Sequence, residues 1–238
     1  MRPGGSTPIR ARATFDAQLQ KLLDDLLVMG SMADSAIGDG MHSLRTRNQS
    51  LASLVVKADK NINRLRYRVE STCLDLIARQ QPNASDLRLI IAAMNIALEL
   101  ERIGDHAASI ASRVIHLAEQ PLQQPIGGLN GMAEAVRQML RDSLDVLLEK
   151  DAEGALAVAE QDSQVDSAYE QLFLDVVARL AQQSEDPTNA TYLLFCGHNL
   201  ERIGDRITNI CERVVFVATG NLEDLDGEEH EQSNVAPA

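Results

Sequence analysis

The sequence predicts an all-α protein: two tandem three-helix bundles, six long helices related by internal duplication. Three observations carry this. The hexapeptide Leu-Glu-Arg-Ile-Gly-Asp occurs at Leu100–Asp105 and again at Leu200–Asp205. At the same spacing the match continues through Ile110 and Ile210, Arg113 and Arg213, Val114 and Val214, and Ala118 and Ala218, the mark of a repeated structural unit. Apolar residues at Ile103, Ala107, Ile110 and Val114 recur at helical spacing, as do Ile203, Ile207, Ile210 and Val214. The composition agrees: 45% of residues are apolar, Ala and Leu dominate, and Trp is absent.

The elements follow in order. Residues 1–13, rich in Pro, Gly, Ser and Arg, are expected to be disordered. Residues 14–120 form the first repeat. Its first helix starts near Phe15 and runs to Leu44, with Leu19, Leu22, Leu23, Leu26 and Leu27 in its stripe and Gly38 and Gly40 weakening it. Asn48 is a cap for the second helix, whose stripe runs Leu51, Leu54, Val55, Ala58, Ile62, Leu65, Val69, Cys73, Leu76, Ile77 and stops before Pro82. Asn83 or Ser85 starts the third, which carries the first hexapeptide. Residues 121–131 have breaker composition and read as the linker. The second repeat, 132–220, is expected to hold helices at about 132–150, 152–183 and 188–219, the last opened by Asp186-Pro187. The acidic tail, 221–238, is expected to be disordered.

Charge and cysteines narrow the function. A net charge of −13 argues against nucleic acid, whose phosphates need clustered Lys and Arg, and suits binding of cations. Cys73, Cys196 and Cys211 are odd in number and form no C-x-x-C pair, so they read as reduced core thiols in the cytosol. No secretory signal and no run of eighteen apolar residues is visible.

The hexapeptides carry the chemistry. Glu101 and Asp105 are four apart and share a helix face, as do Glu201 and Asp205. Like charges so spaced cost roughly 0.2–0.5 kcal/mol per pair, and Gly104 and Gly204 cost about 1 kcal/mol each relative to Ala. One reading is a solvated acidic stripe, neutralised by Arg102 or Arg202, with glycines that permit close packing. The other is a hard-metal site in which paired carboxylates supply oxygen ligands; preservation in both copies favours it. The middle helices add Asp162 and Asp166, again four apart, and by alignment Asp59 and Asn63. A site between second and third helices would then gather Asp59, Asn63, Glu101 and Asp105 in one repeat, and Asp162, Asp166, Glu201 and Asp205 in the other. Asn63 is neutral, so the first site would hold a cation less strongly. His106 and His198 lack counterparts in the other repeat and read as surface or helix-end residues. There is no E-x-x-H, P-loop, G-x-G-x-x-G or G-x-S-x-G.

The stretch Arg79-Gln-Gln-Pro-Asn-Ala-Ser-Asp-Leu-Arg-Leu, leading into Leu98-Glu-Leu-Glu-Arg-Ile-Gly-Asp105, resembles the PhoU family of phosphate-uptake regulators. So does Phe195-Cys-Gly-His-Asn-Leu-Glu-Arg-Ile-Gly-Asp-Arg-Ile-Thr-Asn-Ile-Cys-Glu212. The resemblance spans about Phe15 to Gly220. It implies tandem three-helix bundles, a cytoplasmic accessory role to the phosphate-specific ABC transporter, and negative control of the phosphate-starvation regulon through a membrane histidine kinase. The implied partners are the transporter's ATPase subunit and that phosphate-sensing kinase, and the chain is expected to be a homodimer. The membrane's inner face would be reached only through protein partners. Also implied is metal (iron, zinc or another divalent ion such as manganese or magnesium) at Glu101/Asp105 and Glu201/Asp205, with Asp59, Asp162 and Asp166 nearby. Two functional readings stand from the sequence: a non-enzymatic regulator working by contact, which we favour, and a carboxylate-bundle metalloprotein for metal storage or di-iron-type chemistry.

Overall fold

The computed structural model describes residues 8–117, 127–182, 187–222 and 225, with side chains from Arg12 onward in the first helix. The chain forms α1 (Pro8–Thr46), α2 (Gln49–Gln80), α3 (Ala84–Leu117), α4 (Gly127–Glu149), α5 (Ala152–Ala159), α6 (Asp162–Ala181) and α7 (Pro187–Thr219). No strand occurs among the described residues. Helices α1, α2 and α3 pack on one another, as do α4, the α5–α6 pair and α7. The two bundles join where α3 lies along α7 and α1 meets α4, so one apolar core runs from Phe15 to Val217 through both repeats.

Local chemistry explains most boundaries. Asn48 has extended backbone, and its side chain accepts the Leu51 N–H at 3.0 Å. Asn83 does the same for Asp86 at 2.9 Å. Between these caps α2 buries Ala52, Val55, Ile62, Leu65, Val69, Cys73 and Leu76, one stripe at helical period. Gly220, at φ 85°, ends α7 in the left-handed region, where a side chain is disfavoured. Cys73, Cys196 and Cys211 are free and buried, and burial pushes each thiol up to about 12, which leaves them unreactive.

Several expectations need correction. The second repeat's middle helix is two helices: α5 ends at Ala159, and Glu160 and Gln161 pass to α6 through tightened bonds, Gln161 N–H to Val158 O and Gln164 N–H to Gln161 O. Helix α1 starts at Pro8, inside the stretch expected to be disordered. Proline suits a first helical turn, and Arg12 ties that end down by ion pairs with Asp16 and Asp86, each at 2.8 Å. Helix α4 starts at Gly127 instead of Met132 because Leu129 reaches the core. In the tail, Leu225 turns back on α7, donating its N–H to the buried Glu212 carboxylate at 3.1 Å. The expectations for residues 1–7, 118–126, 183–186 and the rest of the tail fall outside the described residues.

Glycines place the site-bearing helices. A Cβ at Gly30 would collide with Leu144 of α4, and one at Gly40 would stand 3.2 Å from the Ala107 carbonyl of α3. The glycines that weaken α1 as an isolated helix are therefore where other helices cross it closely.

Candidate metal centre

The four acidic positions of the second repeat come from two helices packed side by side. Asp162 opens α6 and Asp166 lies one turn on; Glu201 and Asp205 lie one turn apart on α7. The packing brings one carboxylate oxygen from each of Asp162, Asp166 and Asp205 within 4.8 Å of the others. Among the described residues no other trio of Asp, Glu, His or Cys converges so closely. Asp162 is the most enclosed of the three and Asp166 opens to solvent. Gly204 makes the approach possible, since a Cβ there would collide with Asp162 Oδ1. Thr208 Oγ1 donates to Asp162 Oδ2 at 3.3 Å.

Glu201 stands beside the trio. Its carboxylate meets His198 Nδ1 at 3.1 Å, and Tyr169 of α6 lies against the same histidine, ring centroids 6.0 Å apart. Asp205 pairs with Arg202 at 2.8 Å, so the acidic face is partly neutralised from its own helix. One guanidinium for four carboxylates leaves an excess of negative charge. Burial, followed by the charge on Asp205, raises the Asp166 and Glu201 carboxyls above the usual range. These groups fit a hard cation: oxygen donors converge, a glycine cradle admits them, and charge repulsion awaits relief.

The first repeat differs. Asp59 on α2 faces Glu101 and Asp105 on α3, and a Cβ on Gly104 would stand 2.7 Å from Ile62 Cδ1 and 3.4 Å from Asp59 Oδ1. Three carboxylates do not converge here as they do in the second repeat. Asp59 Oδ1 and Asn63 Oδ1 are buried acceptors with no hydrogen-bond partner. Burial and the Asp105 charge raise the carboxyls of Asp59 and Glu101; Arg66, its Nε 3.9 Å from Glu101 Oε1, works against this for Glu101.

The sequence reading overlooked Arg66, Tyr169 and Thr208. Aligning α2 on α6 at Asp59 and Asp162 carries Arg66 onto Tyr169, which was the available signal. His106 is also not a surface residue: half-buried between α3 and α7, it meets Asn199 Oδ1 at 3.0 Å. Glu99 meets Arg206 at 3.5 Å on the same interface. The duplication equates Glu99 with Asn199 and His106 with Arg206, so the two contacts are counterparts across the pseudo-twofold relation of α3 and α7.

The chain is similar to known proteins along most of its length. A PhoU domain matches residues 26–114 and again residues 129–214. A phosphate-specific transport system accessory protein PhoU homolog of Clostridium acetobutylicum is 35% identical over 216 residues, covering 90% of this chain and 99% of the relative. The phosphate-specific transport system accessory protein PhoU of Escherichia coli is 32% identical over 87% of this chain and 86% of its own. Among solved structures, the phosphate transport system regulatory protein PhoU from Streptococcus pneumoniae superposes with a TM-score of 0.83 at 33% identity, covering 88% of this chain and 99% of the other.

Proposed function

This chain belongs to the PhoU family, and from that premise we propose that it regulates phosphate uptake by contact, without turnover of its own. The observation that carries the reading is near-full-length similarity to accessory proteins of the phosphate-specific transport system. Its targets are the transporter's ATPase subunit and a phosphate-sensing membrane histidine kinase, and it represses the phosphate-starvation genes while phosphate is plentiful. Among the described residues no helix is long and apolar enough to cross a membrane, so these membrane machines are met through their cytoplasmic parts. The protein works as a homodimer in the cytoplasm.

A cation supplies positive charge to the acidic face when bound; iron, zinc, manganese and magnesium all suit oxygen donors to differing degrees. Asp162, Asp166 and Asp205 would hold it, with Glu201 beside them, Thr208 orienting Asp162, and Gly204 keeping α6 and α7 close enough for the donors to meet. The bound ion shapes the docking face.

Deleting the gene tests the regulatory claim. Phosphate-scavenging genes should be derepressed in phosphate-replete medium, and purified protein should retain the ATPase subunit or the kinase in a pull-down. Unchanged expression together with recovery of neither partner would refute it. Replacing Glu201 and Asp205 together with Ala should weaken the control; normal regulation by that variant after its metal is lost would leave the docking claim standing and remove the metal from it.

A further inference from the structure

We propose that the two acidic sites have diverged so that only the second repeat takes a metal ion, the first being closed by the protein's own guanidinium, Arg66. The inference rests on the metal reading above and deepens it.

The duplication makes positions in the two repeats equivalent, residue by residue. With α2 laid on α6 at Asp59 and Asp162, and α3 on α7 at the hexapeptides, four of the pairs that differ around the acidic sets are Asn63 and Asp166, Arg66 and Tyr169, Leu98 and His198, and Ala108 and Thr208. His106 and Arg206 differ the other way, but each is engaged in a contact between α3 and α7, with Asn199 and Glu99 respectively. At these four pairs the second repeat has an oxygen or nitrogen donor of a kind that ligates a metal or orients a ligand. At the same four the first repeat has a neutral amide, a cation or a hydrocarbon. The changes are also coupled to packing. Gly197 leaves the room that Tyr169 fills, since a Cβ there would stand 3.0 Å from the tyrosine ring, whereas the first repeat has Ala97 at that position, fully buried.

Arg66 is built in. Its side chain is 14% exposed, it pairs with Glu70, its guanidinium carbon lies 4.1 Å from the centre of the Tyr67 ring, and its Nε faces Glu101. Glu101 thus has a fixed cation beside it, where Glu201 has a histidine that is positive only when protonated. A fixed guanidinium lowers the local negative potential and repels an incoming metal ion.

Metal-stripped full-length protein titrated with Mn²⁺, followed by electron paramagnetic resonance, and then with Zn²⁺ tests this. All bound metal should disappear in the Asp166→Asn/Asp205→Asn variant, and none in Asp59→Asn/Asp105→Asn. The Asn63→Asp/Arg66→Tyr variant should gain metal that a further Asp59→Asn removes. Should that gain variant not fold, as judged by its melting curve, Tyr169→Arg gives the converse: at least tenfold weaker metal binding at the second site. Loss of part of the metal in Asp59→Asn/Asp105→Asn would overturn the divergence and leave the metal reading intact. Binding of neither ion, or binding indifferent to Asp166→Asn/Asp205→Asn, would overturn both.

Discussion

At Gly204 one added carbon meets Asp162 Oδ1, while at Gly104 it meets Ile62 Cδ1 at 2.7 Å. These identical residues in identical hexapeptides do different jobs. Alanine at Gly204 gains up to about 1 kcal/mol of helix propensity and turns a carboxylate out of the cluster. Gly204→Ala should therefore weaken metal binding at least tenfold while changing metal-free stability by less than about 1 kcal/mol, measured by titration calorimetry and urea unfolding. Ile62 is a core residue. Gly104→Leu overpacks it and should destabilise by about 1–3 kcal/mol; a stabilised variant would mean that α2 and α3 can separate freely. Both glycines were legible as anomalies, because a helix repeats such a cost twice only for a reason. What each one touches was not legible, since that depends on the neighbouring helix.

The elements show where sequence signals exist and where they fail. Asn48 was readable as a cap because its side chain alone can satisfy the N–H three residues on, and Asn48→Ala should cost about 1 kcal/mol in urea unfolding. The break between α5 and α6 was not readable. The run Ala-Val-Ala-Glu-Gln-Asp has no glycine or proline, and the backbone of Glu160 and Gln161 stays right-handed helical. Only the tightened hydrogen bonds mark it. The break delivers Asp162 at the very start of α6, where a carboxylate is favoured by the helix N-terminus. In the first repeat Asp59 lies well inside the unbroken α2. Convergence of three carboxylates in one repeat alone thus depends on an element boundary as well as on Asn63, and the sequence disclosed only the second.

Over the whole molecule, the acidic sites set a dependence of stability on pH. Burial, with the charge of Asp105 or Asp205 next, raises the carboxyls of Asp59, Glu101, Asp166 and Glu201 in the metal-free protein. A raised carboxyl keeps its proton in the folded chain at a pH where the unfolded chain has lost it. Unfolding then releases protons, so stability falls as pH rises from the ordinary carboxylate range, about 4, through the raised folded values, and the loss is complete above them. A cation reverses the sign, because its ligands must be deprotonated and its binding stabilises the folded state alone. Metal-free protein should therefore lose stability across that window, and saturating Mn²⁺ should return progressively more of it as pH climbs. The gap between the two urea-unfolding series should shrink to nothing in Asp166→Asn/Asp205→Asn, while the residual fall due to Asp59, Glu101 and the half-buried Glu201 persists. Parallel metal-free and metal-loaded curves at every pH would mean that the carboxylates of α6 and α7 repel one another without a cation to join them.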